Sequence, residues 1–237
     1  GEVMKRLVSD FHMPDITIVY GMTETSPIST QTAVDDPLEK RVGSVGRVHP
    51  HVEIRIVNPD SGALCGHGEP GEFQTRGYSV MLGYWGDEKR TRQAITEDGW
   101  MCTGDIATMD EDGYVNIVGR IKDMIIRGGE NIYPREIEEF LYGHPDIQDV
   151  QIIGVPDEKY GEEVMASIIM KPGRAPLTLE ALHAHCRDHL ARHKIPKLLE
   201  VVDSYPMTVT GKVRKVEMRE QAIERLGLHQ AAAMQTA

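Results

Sequence analysis

Residues 119–134 read GRIKDMIIRGGENIYP, and the texture of the chain changes across them. A plain linker would account for Gly119, Gly128 and Gly129, but not for two groups of charge around an apolar Met124-Ile125-Ile126 centre. Upstream of this stretch, short strands alternate with glycine turns. Residues 16–19 are a β-branched run. Residues 52–57 (VEIRIV) alternate apolar and polar until the NPDSG of 58–62 stops them, and 71–77 (GEFQTRG) form another strand. Residues 106–109 and 114–118 flank DEDG, a hairpin signal. That turn lacks the remaining ligands of a calcium loop and is read as a solvated hairpin tip. Downstream, Pro134 opens a helix with Ile137, Phe140 and Leu141 on one face. Strands are expected at 150–155, 164–170 and 198–202. Helices are expected at 177–192, with Leu179, Leu182 and Leu190 inward, and at 215–226; residues 229–237 should fray. The pattern predicts a mixed α/β chain, with a small α/β domain after a β-rich one.

The 237 residues are 40% hydrophobic and 27% charged, the composition of a globular protein. A formal net charge of −11 argues against a general nucleic-acid or membrane-surface binder, so an anionic ligand must be held by local cations or backbone amides. No apolar run approaches a membrane span. Cys65, Cys102 and Cys186 lie far apart, form no CxxC pair and read as free thiols of a reducing compartment. His185, His189 and His193 stand four apart beside Cys186 and are read as a solvated helix face rather than a zinc site. Residues 1–11 carry no start methionine or signal peptide; Val3, Leu7 and Phe11 give them the spacing of a helix interior.

Four stretches carry more chemistry than turns need. In YGMTETSP (20–27), Tyr20 offers a flat face, Gly21 lets backbone approach a ligand, Thr23 offers a hydroxyl and Glu24 a carboxylate suited to Mg²⁺. A turn with a helix cap explains the same residues. In GWMCTGD (99–105), Asp105 could accept both hydroxyls of a ribose, or bond its own backbone as a turn aspartate. In residues 119–134, Arg120 presents a planar fork for hydroxyls, carboxylate or phosphate. In PMTVTGKVRK (206–215), Lys212 is either a solvated surface charge or a movable cation for a phosphate.

Taken in order, these stretches resemble the adenylate-forming ligase superfamily of acyl-CoA synthetases, firefly luciferase and peptide-synthetase adenylation domains. The GEPGE of 68–72 and the GYSVMLGYW of 77–85 resemble it too. The likeness runs from about residue 15 to about 222 and is strongest to medium-chain fatty acyl-CoA synthetases. It implies that Tyr20, with Gly21, floors the adenine. Thr23 contacts phosphate, Glu24 ligates Mg²⁺, and Asp105 and Arg120 hold the ribose. Lys122 matches the hinge, Lys212 bridges the attacking carboxylate and the α-phosphate, and Gly128 and Gly129 approach the pantetheine arm of CoA. It further implies three parts: residues 1–38, the tail of the N-terminal domain's α/β subdomain; 39–119, a distorted β-barrel subdomain; and 120–237, a small mobile C-terminal α/β domain.

The reaction implied joins a fatty acid to CoA through an acyl-adenylate, with ATP and Mg²⁺, in the cytoplasm unless an upstream peptide directs the protein elsewhere. No nucleic acid or membrane span is expected, and a homo-oligomer is left open. The superfamily's glycine- and hydroxyl-rich phosphate loop has no counterpart in this sequence. The chain is therefore expected to be the C-terminal part of a longer enzyme and not to adenylate fatty acids alone. The alternatives are a peptide-synthetase-type adenylation domain and a truncated, non-catalytic nucleotide- or CoA-binding module.

Overall fold

A computed structural model describes the backbone of residues 2–235. The chain divides into two compact units, residues 1–121 and 122–237. The first opens with α1 (Glu2–Asp10). Phe11, expected on its inner face, lies beyond it and is 65% exposed. The side chain of Val3 falls outside the described residues. Strands β1 (Val19–Gly21) and β2 (Ile28–Gln31) pair antiparallel, and after α2 (Leu38–Gly43) the short β3 (Arg47–Val48) adds to β2. The first strand thus starts where the sequence placed its end. Ahead of it, Thr17 accepts from the Gln31 side chain of β2, and Ile18 bonds to Thr32 just past the end of β2. A four-stranded antiparallel meander follows: β4 (Val52–Val57), β5 (Gly71–Gly77), β6 (Met101–Met109) and β7 (Val115–Arg120), with α3 (Glu88–Ala94) between β5 and β6. Ile56, Phe73, Ala107 and Val115 form its core, with Tyr20 packed against them.

At the β6–β7 tip, Asp110 accepts from the Asp112 and Tyr114 amides, and the Lys40 ammonium lies 2.5 Å from its carboxylate. The Asp110 carboxylate is thereby committed to partners within the protein.

In the second unit, β8 (Ile125–Arg127) and β9 (Glu130–Ile132) form a hairpin, followed by α4 (Pro134–Leu141). The long pair β10 (Ile147–Asp157) and β11 (Gly161–Met170) runs antiparallel. After α5 (Leu179–Cys186), β12 (Leu198–Val201) joins β11 in parallel, and α6 (Lys215–Leu226) and α7 (His229–Gln235) close the chain. The two-residue period of a strand sorts the core. Val150, Ile152, Val164, Ala166 and Ile168 pack with α4 and α5, while Ile153, Val155 and Met165 pack with Met218 and Ala222 of α6. In this unit the mixed α/β class read from the sequence is realised as a sheet with helices on both faces.

Two helical expectations need correction. The helix expected over 177–192 stops at Cys186, so Leu182 is buried and Leu190 packs on the core, but Leu179 is 36% exposed. His193 falls in a separate 3-10 turn, so His185, His189 and His193 do not share a helix face. The tail expected to fray is helical as far as Gln235; residues 236 and 237 lie outside the described residues. Gly227, at φ +68°, ends α6: its amide and that of Leu228 reach back to the carbonyls of Glu224 and Ile223. This cap re-aims the chain and α7 starts two residues later.

Candidate active site

Residues 20–25 are set by a tight backbone approach between β1 and β2. The register shifts between Tyr20 and Gly21, and a Cβ on Gly21 would stand 1.5 Å from the Pro27 carbonyl oxygen. The glycine of the motif is therefore required by its neighbouring strand, where the sequence had suggested a ligand. Thr25, which sequence reasoning passed over, is fully buried; its hydroxyl accepts from the Met22 amide at 3.0 Å and closes the 3-10 turn of 23–25. That turn leaves Thr23 exposed and Glu24 half-buried.

Three of the expected ligand residues meet. Tyr20 packs its ring edge-to-face on Phe73, with centroids 4.9 Å apart, and donates its hydroxyl to Asp105 Oδ2 at 2.7 Å. Burial, then the Asp105 charge, raises the Tyr20 phenol well above its usual value, so it stays a donor. Asp105 lies mid-strand in β6, directly across from Arg120 at the end of β7, and not at a strand start. Arg120 Nε donates to Asp105 Oδ1 at 3.0 Å. The Asp105 side chain keeps 13% exposure and that of Arg120 52%. A carboxylate accepts about four hydrogen bonds. After Tyr20 and Arg120, two acceptor positions remain for hydroxyls of a ligand.

Glu24 is held by a partner that the sequence gave no means of finding. Tyr84, sixty positions on, donates its hydroxyl to Glu24 Oε1 at 2.9 Å. Among the described residues no three His, Cys, Asp or Glu side chains gather as a metal-holding group. Glu24 itself offers a single carboxylate, with Oε1 already accepting from Tyr84. Mg²⁺ bound through one carboxylate, phosphates and waters needs no more, so these residues fit that ion.

The remaining candidates lie in the second unit. Lys122 is its first residue, within the 3-10 turn of 121–123, and lines a cleft of about 90 Å³ with Glu162, Lys215 and Arg219. Gly128 and Gly129, at φ +60° and +86°, are the two central residues of the β8–β9 hairpin, with Arg127 paired to Glu130. Two successive positive φ values define the I′ turn that the strand twist favours, and glycine alone adopts it freely. Lys212 ends a small loop in which the Thr208 hydroxyl accepts from the Lys212 amide and the Thr208 amide donates to the Lys212 carbonyl. The loop fixes the backbone and leaves the side chain exposed, with no ion pair among the described residues.

The AMP-binding enzyme family matches residues 1–85, and the AMP-binding enzyme C-terminal domain matches residues 136–212, between them more than half of the chain. The chain belongs to the AMP-binding, adenylate-forming enzymes. Two curated relatives make the resemblance finer. The putative acyl-CoA synthetase YngI of Bacillus subtilis is 53% identical over 96% of this chain and 41% of its own. The human mitochondrial medium-chain acyl-CoA ligase ACSF2 is 45% identical over 96% of this chain and 37% of its own. Among solved structures, o-succinylbenzoate CoA synthetase (MenE) from Bacillus subtilis, in complex with the acyl-adenylate intermediate OSB-AMP, superposes with a TM-score of 0.81. It is 29% identical, over 92% of this chain and 43% of that one. This chain thus spans about two fifths of the length of the curated relatives it matches. Its described helices include none long and apolar enough to cross a membrane.

Proposed function

We propose that this chain is the C-terminal part of an ATP-dependent fatty acyl-CoA ligase, joining a carboxylic acid to CoA through an acyl-adenylate and releasing AMP and pyrophosphate. The observation that carries the reading is the convergence of Tyr20, Asp105 and Arg120. They lie up to 100 positions apart, yet form one hydrogen-bonded set suited to a nucleoside. Tyr20 floors the adenine with a ring held by Phe73 and Asp105. Asp105 accepts from the ribose hydroxyls through its two uncommitted acceptor positions. Arg120 neutralises Asp105 and donates beside it. Thr23 gives its hydroxyl to phosphate, and Glu24 would hold Mg²⁺, which supplies positive charge at the phosphates. Residues 1–38 and 39–119, as subdomains of the larger domain, supply this floor together with Arg120 just beyond them. ATP, Mg²⁺ and CoA are the cofactors proposed.

In the first half-reaction an acid oxygen attacks the α-phosphate and pyrophosphate leaves. Lys212, free of any intramolecular ion pair among the described residues, brings its ammonium to the oxygens where charge builds. In the second half-reaction the CoA thiol attacks the acyl carbonyl and AMP leaves; the Gly128-Gly129 turn, bare of side chains, lines the thiol's approach. Both loops belong to the unit beginning at Lys122, so presenting them in turn requires that unit to rotate about Lys122. A reducing aqueous compartment such as the cytoplasm suits three unpaired thiols, of which burial pushes Cys186 up to about 11.

Lys212→Ala in the intact enzyme tests the assignment. Adenylate formation, followed by pyrophosphate exchange, should fall roughly 100- to 1000-fold, while thioester formation from preformed acyl-adenylate continues. Equal loss in both halves, or in neither, removes the role given to Lys212. The 237-residue chain alone should form no acyl-CoA.

A further inference from the structure

Glu24 is gripped from one segment at two points, once on its backbone and once on its carboxylate. The Met81 amide donates to the Glu24 backbone carbonyl at 2.8 Å, and the Tyr84 hydroxyl donates to Oε1 at 2.9 Å. That segment is in turn tied to α3. The Tyr84 amide donates to Thr91 Oγ1 at 2.9 Å, the Thr91 hydroxyl donates to the Asp87 carbonyl at 2.8 Å, and Asp87 caps the helix by accepting from the Arg90 amide. The Arg90 guanidinium lies 4.0 Å from the centroid of the Tyr84 ring. Gly83, at φ +153°, passes so close that a Cβ would stand 2.8 Å from the Thr91 methyl. Ring, amide and preceding backbone are therefore all fixed, and the phenol has one direction in which to point.

We infer that Tyr84 is a positioning residue for the cation-binding carboxylate: its hydroxyl occupies Oε1 and so turns Oε2 toward the incoming metal. This rests on the metal role proposed for Glu24. A glutamate carboxylate otherwise rotates broadly about its last torsion. A hydrogen bond to one oxygen removes that freedom before the cation arrives and leaves the other oxygen as ligand. The tyrosine touches neither metal nor substrate.

The test is Mn²⁺ binding to the intact enzyme in the presence of α,β-methylene-ATP, whose α–β bridge does not cleave, followed by electron paramagnetic resonance. Tyr84→Phe keeps the ring and removes the donor. Its Mn²⁺ half-saturation should rise roughly 2- to 12-fold, the effect of one ordinary hydrogen bond. Nucleotide affinity in EDTA and the melting temperature should stay at wild-type values. Thr91→Val, which frees the Tyr84 backbone without touching the phenol, should shift the curve less and in the same direction. It carries the test should Tyr84→Phe fail to fold. A Tyr84→Phe or Thr91→Val curve that superposes on wild type, while Glu24→Gln shifts it, overturns the positioning role and leaves the metal role standing. A Glu24→Gln curve that superposes on wild type overturns both.

Discussion

Gly21 has no room for a side chain, and the residue scale begins there. A methyl group at this position would meet backbone, which cannot swing aside as a flexible side chain can. Gly21→Ala should therefore destabilise the chain by about 3 kcal/mol or more, the upper end of the overpacking range. Urea unfolding checks this; a loss below about 1 kcal/mol would mean that β1 and β2 separate freely. Asp36 makes a second prediction. Burial pushes its carboxyl up, but the Tyr114 hydroxyl, the Ala33 amide and the Arg47 guanidinium outweigh burial and hold it below its ordinary 3.8. The unfolded chain then takes up the proton first as pH falls. The stabilisation is complete above about pH 4 and lost as pH drops through the folded value. Asp36→Asn should lower the urea midpoint at pH 7 and leave a shallower decline between pH 5 and 3; parallel declines in the two proteins would refute it. Residue chemistry was the part of the site most legible in the sequence. Tyr20, Asp105 and Arg120 were nameable from type and motif, and they do meet. Tyr84 was not nameable as the partner of Glu24, because no local spacing relates residues sixty positions apart.

At the scale of elements, the β8–β9 turn offers the sharpest test. No heavy atom within 4 Å outside its own neighbours crowds Gly129, so Gly129→Ala probes its φ of +86° and nothing else. The cost should be about 1–2 kcal/mol, read as a lower unfolding midpoint, with Gly129→Asn less damaging because asparagine tolerates left-handed backbone. Equal losses for the two substitutions would show that something other than backbone strain governs the turn. Elements were legible where a sequence signal marks both ends. Pro134 opens α4, residues 71–77 are bounded by glycines, and α6 occupies the residues expected of it. They were illegible where packing overrode a weak signal. Neither glycine nor proline stands at Arg187, so nothing announced the end of α5. The alanines of α7 offered no apolar period, yet Ala231 is buried to 4% exposure. β6 begins five residues before the strand expected at 106, and that is why Asp105 faces Arg120 across a ladder instead of sitting in a turn.

At the scale of the whole molecule, each unit carries its own core, and the second has apolar clusters on both faces of the β10–β11 pair. Residues 122–237 expressed alone should therefore melt in a single cooperative transition by circular dichroism; a featureless decline would show that this core needs more than its own residues. The innermost segment of that unit is 165–168 of β11, where Met165, Ala166, Ser167 and Ile168 are at most 2% exposed. It is bonded to β10 on one edge and to β12 on the other. Steeped in heavy water, the unit would take up label from its rim inward, and these four amides would be the last to trade protium for deuterium, reporting the full cost of dismantling the fold.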